Sequence, residues 1–208
     1  MKLIRRIAVN VSAGLALAAL LAPAAAQADS YPKQRLPQAP KQLPSVQSHG
    51  KSIDVLFDAL KVAPDEDSAR AVEARIWAIW RKTPSDTVAL LMTRANIALE
   101  NDESDVALKL LDAIIKLRPD YVEAWNRRAT LYYKKNNYNR AMEDIEEVLR
   151  REPRHFGALA GLGVILEETG DDKHALEVFR RALAINPHLD KVPDMVKSLT
   201  EKVEGRDI

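Results

Sequence analysis

From Ile53 onward, apolar residues recur three and four positions apart, the spacing that lines one face of an α-helix. Ile53, Leu56, Phe57 and Leu60 form one such face, and Ala69, Val72, Ile76, Ile79 and Trp80 a second. Polar breaks follow at Pro64–Asp67, Asn101–Glu103, Asn136–Asn137 and Thr169–Asp171. The pattern predicts helices over 86–100, 104–117, 122 to about 135, 138–151, 155–168 and 172–185. Val192, Val196, Leu199 and Val203 share one face of a last helix, and Pro193 and Asp194 suit its start.

The breaks are periodic. Pro119, Pro153 and Pro187 are 34 residues apart, as are Ala107, Ala141 and Ala175, and Leu91, Trp125 and Leu159. Ala95, Ala129 and Gly163 keep a small residue on the same ladder, while Leu111, Ile145 and Phe179 keep a large one. A fixed period of this size marks a helical solenoid. Each unit is a helix pair that cannot bury its apolar stripe alone, so it stacks on its neighbours. The prolines end the second helix of each pair, because the residue before a proline is pushed out of the helical region. Asp120 with Glu123 reads as a capping box, Asp171 and Asp172 as turn and N-cap residues, and Gly170 as a left-handed helix stop.

At these positions the chain resembles the tetratricopeptide repeat family. The central unit carries Trp125, Ala129, Tyr132, Ala141, Ile145 and Pro153 where that family places its signature residues. The third carries Leu159, Leu162, Gly163, Leu166, Ala175, Phe179, Ala182 and Pro187, and the first Leu91, Ala95, Ala98, Ala107, Leu111, Ile114 and Pro119. Arg94 and Arg128 stand where leucine is usual. The resemblance implies an all-α, right-handed superhelix of repeats 88–121, 122–155 and 156–188, closed by a C-terminal capping helix and tail over 189–208. Residues 51–85 are expected to form a degenerate repeat capping the N-terminal end. Trp77 and Trp80 are then expected in the core or against the first full repeat, with an aromatic binding patch as the alternative.

The first 28 residues read differently. Lys2, Arg5 and Arg6 precede an apolar stretch from Ile7 to Ala22, and Ala26-Gln27-Ala28 is a small-x-small site. This is the pattern of a secretory signal peptide cut between Ala28 and Asp29. Those residues hold three of the 31 basic side chains and none of the 30 acidic ones, so cleavage would leave 28 against 30, a net charge of −2. Such a balance gives no electrostatic case for nucleic acid. Residues 29–50, with Pro32, Pro37, Pro40 and Pro44, are expected to be an extended, disordered linker, either a spacer or a docking peptide. The expected address is the periplasm of a Gram-negative bacterium.

Catalytic chemistry finds no support in the sequence. Cysteine is absent, and His49, His155, His174 and His188 are scattered. Glu167 and Glu168 are adjacent and so diverge on a helix. Gly157, Gly161 and Gly163 lie within a helix and not after a strand, so they read as close helix packing and not as a phosphate loop. Glu143, Asp144, Glu146 and Glu147 read as a solvated outer face among Arg140, Arg150 and Arg151. No enzyme, metal site or cofactor is expected.

What remains is the concave surface that the resemblance implies. It places Asn96, Asn126, Arg127, Thr130, Tyr133, Gly157, Gly161 and Val164 along a partner-binding groove. Asn126 and Arg127 could donate to a peptide backbone or carboxylate, and Tyr133 could stack or hydrogen-bond. The expectation is a periplasmic adaptor that holds envelope proteins by peptide or helix capture and supports envelope integrity or assembly. The alternatives are a chaperone-like factor for secretion or outer-membrane protein delivery, or an accessory subunit of a transport or signalling system.

Overall fold

The computed structural model describes residues 46–205. The leader, its junction at Ala28 and Asp29, and most of the proline-rich linker lie outside them. Every regular element among the described residues is an α-helix: α1 (Val46–Lys61), α2 (Glu66–Arg81), α3 (Asp86–Glu100), α4 (Ser104–Leu117), α5 (Val122–Lys134), α6 (Tyr138–Arg151), α7 (Phe156–Glu168), α8 (Asp172–Ile185) and α9 (Val192–Val203). The first begins within the stretch that the prolines had assigned to the linker. The last of those prolines is Pro44, and nothing beyond it breaks a helix until Pro64.

Helices α3–α8 pair as α3 with α4, α5 with α6 and α7 with α8, and each pair packs on the next. The 34-residue ladder explains this. Ala107, Ala141 and Ala175 are wholly buried, which lets the paired helices approach. Gly163 carries this furthest: a Cβ there would lie 2.5 Å from the Phe179 ring. Phe179 itself is fully buried, worth about 1.5–3 kcal/mol for a side chain of its size.

Local signals set the helix ends. Ser85, Asn137, His155 and Asp171 each accept a backbone N–H from three residues on. Gly170 follows α7 at φ +84°, the left-handed stop expected there. The capping box before α5 does not form. Arg118 holds both oxygens of Asp120 at 2.9 and 2.7 Å, so Tyr121 becomes the N-cap and has no side-chain bond. Glu123 instead turns inward to Arg127.

Arg128, at a position where leucine is usual, keeps its place in the packing through charge. It donates to both oxygens of Asp144 at 2.8 and 2.7 Å, and to Asp112 of the preceding helix at 2.6 Å. It also lies over the Trp125 ring, with Arg151 near the same ring. Asp144 is therefore buried, not part of a solvated acidic face, because Arg128 supplies the partner that burial requires. Burial pushes the Asp144 carboxyl up against the pull of Arg128, while Asp144 and then Asp112 hold the guanidinium cationic.

The α1–α2 hairpin departs furthest from expectation. Trp80 is buried in a core with Trp77 packed against it, as one alternative had it, but the partner is the third repeat. They pack on His155 and Phe156, where the third repeat begins, with Trp80 stacked on the His155 ring. The Glu73 carboxylate bridges Trp77 Nε1 and Asn186 Nδ2, both at 3.0 Å. His188 Nε2 meets the Ala63 carbonyl at 3.2 Å, Arg154 pairs with Asp54 at 2.8 Å, and the Tyr121 hydroxyl donates to the Arg81 carbonyl. The hairpin is thus a strap along the turns that join successive repeats. Its apolar face had looked like that of one more repeat, but two tryptophans need a deeper seat than a helix stripe, and the buried pair His155–Phe156 provides it.

Helix α9 closes the other end, burying Val192 and Leu199 against Ala175, Leu176 and Phe179. It starts from Lys191, held at φ +61°, with Pro193 in its first turn.

Candidate functional site

Between α5 and α7 lies a cavity of about 280 Å³, open on one side. Six of the eight residues expected in the groove line it: Asn126, Thr130, Tyr133, Gly157, Gly161 and Val164. Its floor is Ala129 and Ile145, which the sequence had offered only as packing positions, together with Ala158 and Ile165, which it had not singled out. Helix geometry accounts for the split. On α5, residues 126, 130 and 133 share the face that looks toward α7, and on α7 residues 157, 161 and 164 answer them.

Two glycines shape the cavity in different ways. A Cβ on Gly161 would touch nothing nearer than Ile145 Cδ1 at 3.9 Å, so its missing side chain leaves space open. A Cβ on Gly157 would stand 2.9 Å from the Trp77 ring, so this glycine admits the strap. Trp77 therefore sits beside one end of the cavity, a neighbour that the sequence did not suggest.

The polar rim is less free than expected. Tyr133 donates to Glu168 at 2.6 Å, and this bond, ahead of burial, raises the phenol to about 12. The tyrosine stays neutral at any working pH and holds Glu168 at the rim, with the Glu168 carboxyl lowered by Tyr133 and then Tyr138. Thr130 Oγ1 donates back to the Asn126 carbonyl.

Arg127 and Asn96, the other two expected groove residues, do not line the cavity. Arg127 Nε donates to the buried Glu123 at 2.7 Å, and Nη1 donates to Asn96 Oδ1 at 2.5 Å. The guanidinium balances the charge of Glu123, and two of its donors are thereby engaged within the protein. The pair ties the first repeat to the second. The cavity is thus an apolar socket with hydroxyl and amide groups on its rim, suited to one aliphatic or aromatic side chain of a docked segment.

Among the described residues, no cluster of three or more His, Asp or Glu side chains could hold a metal, and no helix is long and apolar enough to cross a membrane.

Comparison with known proteins agrees with this architecture. The Tetratricopeptide repeat pattern matches residues 126–190, and that of the Tetratricopeptide repeat protein 21 ARM repeat matches residues 16–145. A TPR repeat-containing protein of Rhizobium etli is 41% identical over 178 residues, covering 86% of this chain and 79% of the relative. The chain belongs to the tetratricopeptide repeat family. Other curated relatives match at 24 to 29% identity, and the chain spans only 6 to 56% of their lengths.

Solved tetratricopeptide domains share the fold. The Sgt2 domain of Aspergillus fumigatus superposes with a TM-score of 0.53 at 22% identity, over 59% of this chain and 82% of that one. The first tetratricopeptide domain of Spaghetti, bound to an HSP90 peptide, gives 0.54 at 14%, over 59% and 97%. Members of this family are typically non-catalytic interaction modules, and this chain is a scaffold for protein–protein interaction.

Proposed function

We propose that this protein is an exported adaptor that works in the periplasm, where it holds envelope proteins together and supports envelope integrity or assembly. It would do so by capturing a peptide or helix of its partner in the groove between α5 and α7. The observation that carries the groove reading is the socket there. An apolar floor gives affinity to a buried side chain, and Asn126, Thr130 and the Tyr133–Glu168 pair give direction to the backbone that follows it. Capture of an HSP90 peptide by the Spaghetti domain supports the idea that this fold seats peptides, although Arg127 is committed to Glu123 and Asn96 and a carboxylate clamp is not part of the proposal.

Export rests on the basic, apolar and small-residue sequence of the first 28 residues. The mature chain would begin at Asp29 and keep no membrane span. Amino-terminal sequencing of the protein released by osmotic shock tests this directly: a start at Asp29 is expected, and an uncut Met1 in the membrane fraction would refute export by cleavage.

Site-specific photo-crosslinking in living cells tests the groove. A probe at Thr130, on the rim, should give one discrete adduct, while a probe at Glu146, on α6, should give none. A smear from Thr130 would point to a chaperone that takes many clients. Adducts from Glu146 alone would make the outer face the working surface.

A further inference from the structure

The first repeat presents a second surface, separate from the groove and independent of it. Positions one period apart should have the same environment in a stack, and at the seam between repeats they do not. Ala124 and Ala158 are buried, as are Leu131 and Ile165, because the preceding repeat covers them. The same ladder positions in the first repeat are Leu90 and Ile97, which are 55% and 51% exposed. Thr87 is exposed too, whereas its equivalents Tyr121 and His155 are buried. The cause is the strap. Because α1 and α2 lie along the inter-repeat turns, no helix pair stacks on α3.

Charge repeats the pattern. Arg128 fills its seam by pairing with Asp112 on the second helix of the preceding repeat and with Asp144 on its own. Its counterpart Arg94 has neither. The residue one period before Asp144 is Leu110, no repeat precedes, and Arg94 stands exposed without a carboxylate among the described residues. The face therefore offers two apolar contacts flanking an uncompensated guanidinium on one helix.

We infer that the outer face of α3 is a docking site for an amphipathic helix of a partner protein, seated as the missing second helix of a preceding repeat and carrying a carboxylate for Arg94. The apolar side chains of that helix cover Leu90 and Ile97, as α4 shares one core with Ala124 and Leu131 in the next seam. A second copy of this chain stacked head to tail is a poorer fit, since α9 turns Lys197 and Lys202, of like charge to Arg94, outward at the other end.

The chain supplies its own probe, because residues 104–117 are the helix that fills the next seam. A fluorescein-labelled, hydrocarbon-stapled peptide of that sequence, titrated against the full chain and followed by anisotropy, should bind saturably. Arg94→Glu should weaken binding about tenfold, the scale of one charge-assisted hydrogen bond, and a peptide with Asp112→Lys should restore it. Leu90→Glu with Ile97→Glu should abolish binding while the melting temperature stays within a few degrees, since both side chains are half-exposed. The proposal is overturned by absent binding, by binding indifferent to these changes, or by binding only after residues 1–45 are removed, which would make that segment the occupant. It is overturned as well if sedimentation shows a dimer that Leu90→Glu dissociates, because the occupant would then be a second copy.

Discussion

Trp80 and His155 stack face to face, with ring centroids 4.0 Å apart and planes 13° from parallel, although 75 positions separate them in sequence. The contact joins the strap to the third repeat. His155 also caps α7, accepting the Ala158 N–H through Nδ1 at 3.0 Å, so that nitrogen carries no proton.

Protonation of His155 would break the cap and place a charge in an apolar seat. Burial accordingly lowers its pKa from 6.5 to about 4. The unfolded chain binds the proton more readily, so this group favours folding in full above pH 6.5. That contribution is lost progressively as the pH falls toward 4, by up to about 3 kcal/mol. Urea titrations at pH 7.5 and 4.5 should show a steeper loss for the native protein than for His155→Asn, which can still cap but does not titrate. Parallel losses would refute the assignment.

Neighbouring glycines should respond in opposite ways. Gly163→Ala drives a methyl into the Phe179 ring and should cost about 1–3 kcal/mol. Gly161→Ala meets only open space and Ile145, so the better helix former should gain about 0.5–1 kcal/mol. Thermal melts of the two variants read the difference, and equal effects would contradict the packing described.

The two carboxylates on Arg128 should be unequal. Asp144→Ala leaves a half-buried guanidinium without its bidentate partner, and a loss of about 3 kcal/mol is expected. Asp112 is 53% exposed, so Asp112→Ala should cost about 1 kcal/mol or less. Denaturant midpoints of the two single variants check the order.

The repeats were legible in sequence because a stacked solenoid uses each position for the same contact every 34 residues. Ala107, Leu111 and Phe179 therefore announce their burial, while the groove face of α5 and α7 came from the family resemblance laid on that register. The strap was not legible. Trp77 and Trp80 show an apolar face without naming its partner, and their contact with His155 is set by tertiary packing across the inter-repeat turns. The rim misled for a related reason. Arg127 and Tyr133 read as free donors, and only the fold brings Asn96 and Glu168 to them, 31 and 35 residues away in sequence.

In the proposed function the socket between α5 and α7 holds this protein's partner. The most direct test is the yield of the Thr130 crosslink in cells carrying Gly161→Leu, whose side chain fills the cavity, beside Gly161→Ala as a milder block. The adduct should disappear with leucine and weaken with alanine, while both purified variants keep the native helical signal and melt no more than a few degrees below the parent. An undiminished adduct from a folded Gly161→Leu protein would contradict the proposal.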